Sequence, residues 1–473
     1  MKPSMDPAPT PPRTAPLYPL LAGRAGEPAA PGYGAILRFT LPLVLGLTTL
    51  ALHTVVDAAF VGRLGTAPLA SLGFCTLTYY TGLVLLLGLM RNSIGFTARA
   101  FGAGRPEQIG AIVTQYQWLA LAGAPLIWAW MQAFPLVARL AHLGPEVEQL
   151  ARVYLSIRVW DVVFVLTVVL YSSVFQAVGN SRFPMLVTLG TVPLNAVLNY
   201  GLVFGHLGLP ALGMAGSALA TVIAQVAGCA AMVAVAQLGP SRARFGLKLL
   251  GRPDWALMRR ILAVSTPQGL GDGLEVLAFL AFFVVIGPLG ETALAASNIG
   301  LQASHLLFMP GIAMGIASAS YMGRLLGEGR PEAARRTTYR ILALGVGYMG
   351  LLGLPLWFLG EAVARIFTDR DDVIAQARLV FKVVAAYQVC DAIGIILRAT
   401  LGGAGDTRWP TLLLAGSGIL VLLPAAFLLA RWVEPGVLGA WLGAFLYTAA
   451  LAAVLGYRFE RGPWRTSQAT NLG

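Results

Sequence analysis

Residues 261–286, ILAVSTPQGLGDGLEVLAFLAFFVVI, constrain this chain more than any other stretch. Roughly 20 apolar residues are needed to cross the hydrocarbon core of a bilayer, and this run is long enough. It nevertheless carries Asp272 and Glu275 near its middle. A carboxylate placed there costs on the order of 2.5 kcal/mol or more to insert. Three residues apart, the two acids share one helix face, so both can point at the same interior cavity.

The stretch is one of many. Charged residues make up only 11% of the 473, and hydrophobic ones 57%. A soluble domain has about 25% charged residues, so a soluble enzyme is excluded and a polytopic membrane protein is indicated. Twelve spans are expected, at about 35–61, 67–90, 109–134, 153–178, 183–204 and 213–237, then 261–286, 292–318, 338–359, 378–401, 409–430 and 437–457. The fold class is therefore an all-α membrane protein. The Pro- and Ala-rich start lacks the basic-then-apolar layout of a cleaved signal and reads as a disordered tail over 1–34. Cys75, Cys229 and Cys390 are scattered without CxxC spacing, against a disulfide framework or zinc site.

Net charge of +12 would suggest nucleic acid in a soluble protein, but here the cations sit in short loops. One set of loops carries Arg91, Arg99, Arg105, Arg182, Arg242, Arg244, Lys248, Arg324, Arg330, Arg335, Arg398 and Arg408; the other set has fewer, mixed with acids. By the positive-inside rule the first set is cytoplasmic, as are both termini, in a multi-pass inner-membrane protein.

The second half repeats the first. FGAGRPE at 101–107 returns as LGEGRPE at 326–332, and Arg63-Leu64-Gly65 as Pro288-Leu289-Gly290, both at the same offset. VGNSRFP at 178–184 returns as AGDTRWP at 404–410, shifted by a single further position. An even number of spans per half gives both halves one orientation, about an axis along the membrane normal, with a ligand cavity expected between them. The expected units are a six-helix lobe at 35–237, a linker at 238–260, a second six-helix lobe at 261–457 and a tail at 458–473. The GxG loops follow no strand and are better read as tight turns than as phosphate cradles.

Asp57, Glu275 and Asp391 each fall inside an apolar helix, with no full opposite charge expected beside them in the helix core. Such acids either stay protonated or hold a cation, as an ion-coupled cycle requires. Asn195 and Asn199 share a helix face and can hydrogen-bond an acid of the first half; Tyr387 and Asp391 share a face likewise. Asp57, near the outer end of its span, has an interfacial alternative. Asp272, in a GLGDG stretch, is read equally as functional or as the cap of a broken helix. Asp161 is read as a local ion pair with Arg158 near the outer interface, and Asn298, Gln302 and His305 as helix contacts first and cavity lining second. His53, His142, His206 and His305 are too dispersed for a metal site.

The doubled halves, with LHTVVDAAFVGRLG, FQAVGNSRFP and LGGAGDTRWP, resemble the multidrug and toxic compound extrusion (MATE) transporters over about 35–457. The resemblance is closest to the NorM-like branch: Glu275 lies thirteen residues before the Pro288 turn, and Tyr387 four before Asp391. It implies export of cationic, amphipathic compounds driven by inward Na+ or H+, with no other cofactor. It maps the ion-coupling and substrate residues onto Asp57, Asn195, Asn199, Glu275, Tyr387 and Asp391. It also sets the helices of Glu275 and Asp391 side by side, where the two carboxylates would share one Na+ or at least one proton. Asp161 and Asp272 have no counterpart in the pattern. The protein is expected to act as a monomer in lipid, with small cationic drugs as partners. The main alternative, a lipid-linked oligosaccharide or lipid flippase of related plan, calls for several basic residues in the cavity. A membrane enzyme would need a clustered nucleophile or a motif such as HExxH, and a channel a continuous polar stripe; neither is present.

Overall fold

The computed structural model describes residues 30–465 apart from 141–142, 240 and 434–435. Of the tails expected at 1–34 and 458–473, residues 1–29 and 466–473 lie outside the described residues, as does His142, while Tyr33 already begins the first helix and the last helix continues to Arg461. Backbone N–H and C=O groups in lipid must be satisfied within the segment that crosses it, which makes helix the only choice for apolar runs of this kind. The first half comprises α1 (Tyr33–Gly62), α2 (Thr66–Arg91), α3 (Ser93–Gly102), α4 (Gln108–Gln132), α5 (Phe134–Leu140), α6 (Pro145–Arg158), α7 (Val162–Ala177), α8 (Arg182–Phe204) and α9 (Met214–Leu238). A short α10 (Ser241–Phe245) leads to the second half: α11 (Trp255–Ile286), α12 (Glu291–Leu307), α13 (Met309–Gly327), α14 (Pro331–Phe358), α15 (Gly360–Arg365), α16 (Asp371–Gly403), α17 (Arg408–Ser417), α18 (Leu423–Leu428) and α19 (Val437–Arg461).

Among the described residues, eleven helices are long and apolar enough to cross a membrane. α12 and α13, which bend by 42° at their junction, are long and apolar enough together to make a twelfth. The spans match the expected ones in order and number, and most run several residues further at one or both ends. α11 begins at Trp255, where the Asp254 side chain accepts from the backbone N–H of Ala256 and Leu257 and so caps it.

The repeat in the letters is a repeat in backbone geometry. Gly104 ends α3 at φ +71°, and Gly329 ends α13 at φ +70°. Each turn is closed by the same bond, Arg105 N–H to Ala100 O at 3.0 Å and Arg330 N–H to Leu325 O at 2.8 Å. Glycine takes that left-handed conformation without the Cβ penalty other residues carry, which is why both loops hold it.

The halves are tied together by related surfaces. Each has its own apolar core, yet Ile36 and Phe39 of α1 sit in the core of the second half. Their repeat counterparts on α11, Ile261 and Val264, sit in the core of the first. At the α3–α13 crossing, a Cβ on Gly102 would lie 2.0 Å from Arg324 O, and one on Gly327 would lie 2.3 Å from Arg99 O. Gly102 corresponds to Gly327 in the repeat, and Arg99 to Arg324, so the contact is self-complementary about the pseudo-two-fold axis. The α2–α11 crossing is as close: a Cβ on Gly269 would lie 2.2 Å from Leu85 O. Arg340 of α14 reaches Ala30 O and Pro31 O at 2.9 and 2.8 Å, and Arg335 meets Glu460 at 2.8 Å. The start of α14, next to the α13 turn, thus lies at the same end of the bundle as both ends of the described chain. The linker packs on the first half: Trp118 Nε1 donates to Gly251 O at 3.0 Å, and Gln115 Oε1 accepts from Asp254 N at 2.9 Å.

Candidate functional sites in the two halves

In the first half, α1, α8 and α9 converge on Asp57. Its side chain is buried, at 6% exposure, five residues before the end of α1 at Gly62. Asn199 Nδ2 donates to Oδ1 at 2.9 Å and Thr221 Oγ1 lies 3.2 Å from Oδ2. Asn195 lies one turn before Asn199 and joins them, with Oδ1 3.1 Å from Asn199 Nδ2 and Nδ2 3.3 Å from Thr221 Oγ1. His53, one turn before Asp57, brings Nδ1 to 3.6 Å. The group that the sequence suggested therefore assembles, with Thr221 and His53 added. The Asn199 Oδ1 atom is buried and has no hydrogen-bond partner. A buried acid beside an unsatisfied acceptor is an arrangement that a proton or a small cation completes.

Beside this group, Asp161 sits in the 3₁₀ turn between α6 and α7 and is fully buried. It pairs with Arg158, as the three-residue spacing predicts, and accepts from Tyr79 OH. The Arg158 guanidinium lies over the Tyr79 ring, 4.4 Å from its centroid. Both partners of the ion pair are held inside the half, where losing one would strand the other.

The second half answers differently. Glu275 and Asp272 of α11 face Arg398 of α16, whose Nη1 lies 2.8 Å from Glu275 Oε2 and 3.2 Å from Asp272 Oδ1. This corrects two expectations: Arg398 is not in a loop, and Glu275 does have a full opposite charge beside it. α16 continues through Arg398 to Gly403, because one arginine near a helix end can be kept inside a protein interior when carboxylates meet it. The reading of Asp272 as the cap of a broken helix is also overturned. α11 is unbroken through its glycines, which instead let α2 approach closely.

Asp391 lies on α16 within electrostatic reach of Glu275 and Arg398, so α11 and α16 do bring the two predicted acids to one region. Tyr387 is on the same face but its hydroxyl pairs with Ser304 at 2.8 Å, and its ring stacks parallel to Trp441 at 6.4 Å. Asn298, Gln302 and His305 form an exposed strip on α12. Among the described residues, no cluster of three His, Cys, Asp or Glu side chains suits a metal ion. Two residues missed by sequence reasoning did carry a signal: His53 is four before Asp57, and Arg398 seven after Asp391, two turns along the same face. Thr221 carried none, being one of many threonines in apolar helices.

The sequence profile of the MatE family matches residues 42–201 and 267–428, two segments whose starts are separated by the offset of the internal repeat. The chain is 31% identical over 435 residues to "Probable multidrug resistance protein NorM" of Bradyrhizobium diazoefficiens, covering 90% of this chain and 92% of that one. It is 30% identical over 431 residues to "Multidrug resistance protein NorM" of Burkholderia vietnamiensis, covering 89% and 92%. Among solved structures it superposes on the Vibrio cholerae MATE transporter VcmN in the bent form with a TM-score of 0.81, at 21% identity over 93% of this chain and 98% of that one.

Proposed function

This chain belongs to the MatE family, whose members are transporters and not enzymes, and on that premise we propose that it is a secondary multidrug antiporter. It exports cationic, amphipathic compounds in exchange for Na+ or H+ through alternating access of its two lobes. The observation that carries this reading is Asp57, a buried acid hydrogen-bonded by Asn199 and Thr221 beside the unsatisfied Asn199 Oδ1. A carboxylate held this way in apolar surroundings is stabilised further by a bound proton or cation, which the transport cycle loads and releases. Glu275 and Asp391 supply acids in the second half, at positions the repeat does not relate to Asp57. The flippase alternative asks for cations free to bind a pyrophosphate, whereas Arg398 is engaged by two carboxylates.

The protein works as a monomer in the inner membrane, surrounded by lipid, with both termini cytoplasmic. With the termini cytoplasmic, the close α3–α13 crossing at their end supports a state shut towards the cytoplasm, and the substrate path then lies outward of it, between spans 1, 2, 7 and 8. Efflux of a cationic dye from vesicles, with Na+ and pH gradients imposed one at a time, tests the proposal. At least one gradient should accelerate efflux, and collapsing it should return the rate to baseline. Efflux indifferent to both gradients would overturn antiport.

A further inference from the structure

We infer that Arg398 is a tethered cation that competes with the transported coupling cation for Glu275, with Asp272 as its fallback partner. The inference rests on the proposed role of Glu275 in coupling. An arginine stays protonated at any physiological pH, so Arg398 cannot leave Glu275 by losing its charge. It can leave only by moving to another anion. One guanidinium nitrogen already lies between the two acids, 2.8 Å from Glu275 and 3.2 Å from Asp272. A small shift therefore frees Glu275 while Arg398 stays paired, and no charge is left bare in a region where that would be costly.

Asp272 is also the point where this half meets the other. Its Oδ2 lies 3.8 Å from Arg91 of α2, and a Cβ on Gly88, at the α2–α11 crossing, would lie 2.8 Å from that same oxygen. Gln268 Nε2 is 3.4 Å from its Oδ1. Asp391 of α16 and Tyr447 of α19 also lie in electrostatic reach of Glu275 and Arg398. When a cation takes Glu275, Arg398 settles on Asp272 and competes with Arg91 there. Occupation of the ion site is thereby linked to the contact that holds the halves together, a differential interaction of the kind a conformational switch needs.

The test uses the full chain in proteoliposomes. Ethidium efflux is followed while Na+ and H+ are varied separately, and the half-saturating concentration of the driving cation is read for each variant. Removing the competitor in Arg398→Gln should lower that concentration by about tenfold or more, the effect of one close opposite charge, and slow turnover because release is impeded. Removing the fallback in Asp272→Asn should raise it, because Arg398 is then held on Glu275. Arg398→Lys should stay within about threefold of wild type, because it keeps the charge. Shifts of opposite sign for Arg398→Gln and Asp272→Asn support the inference; a purely structural pair would move both in one direction. Shifts of the same sign, or none, in a protein that Glu275→Gln uncouples would overturn it and leave the coupling role of Glu275 standing. Coupled efflux surviving in Glu275→Gln would overturn both. Should Arg398→Gln fail to reach the membrane, an unchanged half-saturating concentration in Asp272→Asn is sufficient to reject the inference.

Discussion

The two halves share a scaffold and differ in how they keep an acid inside it. In the first half Asp57 is held by the neutral donors of Asn199 and Thr221. In the second, Glu275 is held by the full charge of Arg398. The repeat does not relate these groups: the position of Asp57 corresponds to Phe282, and that of Glu275 to Leu50. What is repeated is what builds the turns and crossings, namely Gly104 with Gly329 and Gly102 with Gly327. Duplicated architecture thus carries two different solutions for a carboxylate within an apolar helix, one buried at Asp57 and one partly exposed at Glu275. Neutral donors leave an acid free to take up a proton or cation, whereas an arginine must first be moved aside.

That contrast predicts unequal damage. Glu275→Gln keeps the shape and removes the charge, and Arg398 retains Asp272, so folding and expression should stay near wild type. Gradient-driven dye efflux should fall by about 100-fold or more, into the range lost when a positioned proton-transfer group is removed. Asp391→Asn should match it, and the double variant should be no worse than either, because coupled sites act as a unit. Vesicle efflux and yield of purified protein together check this. Asp57→Asn, among neutral partners, should leave the protein equally well folded and reduce driven efflux by about 10- to 100-fold in the same assay, at or below the low end of the usual span for such groups. Should Asp57→Asn unfold the protein, the neutral-donor account of the first half fails.

Smaller effects sharpen the boundary between coupling and scaffold. Arg158→Gln strands Asp161 in the first half and should cost about 3–5 kcal/mol, seen as a lower melting temperature in detergent. The matching loss in transport should only follow the loss of folded protein. Gly102→Val drives a side chain into Arg324 O and should cost about 1–3 kcal/mol of overpacking. Its signature is a lowered melting temperature that Gly327→Val, at the related position, reproduces. A large fall for one and none for the other would contradict the self-complementary crossing.

Much of this is legible in the amino-acid sequence alone. The spans were readable because lipid leaves helices no alternative, and the repeat because positive-φ turns retain glycine when much else drifts. The Asn195–Asn199 face could be read from its four-residue spacing, and its meeting with Asp57 follows from α8 packing on α1. Arg398 was misplaced for a physical reason: an arginine near the end of an apolar window reads as a loop, and only the partner helix reveals carboxylates waiting for it. The exchange of Ile36 and Phe39 for Ile261 and Val264 between the two cores was likewise invisible, since apolar residues do not announce which core they enter. Asp161 was legible as a local pair but not as a fully buried one, because Tyr79 reaches it from a distant helix.

The central claim is that outward drug movement and inward cation movement are one process run by these acids. Recording both fluxes at once, in a single population of vesicles containing wild type or Glu275→Gln, tests it directly. The account predicts that in wild type the dye and cation fluxes rise and fall together in a fixed ratio, and that Glu275→Gln stops both. Sustained uphill dye export with no accompanying Na+ or H+ flux, in either protein, would contradict it.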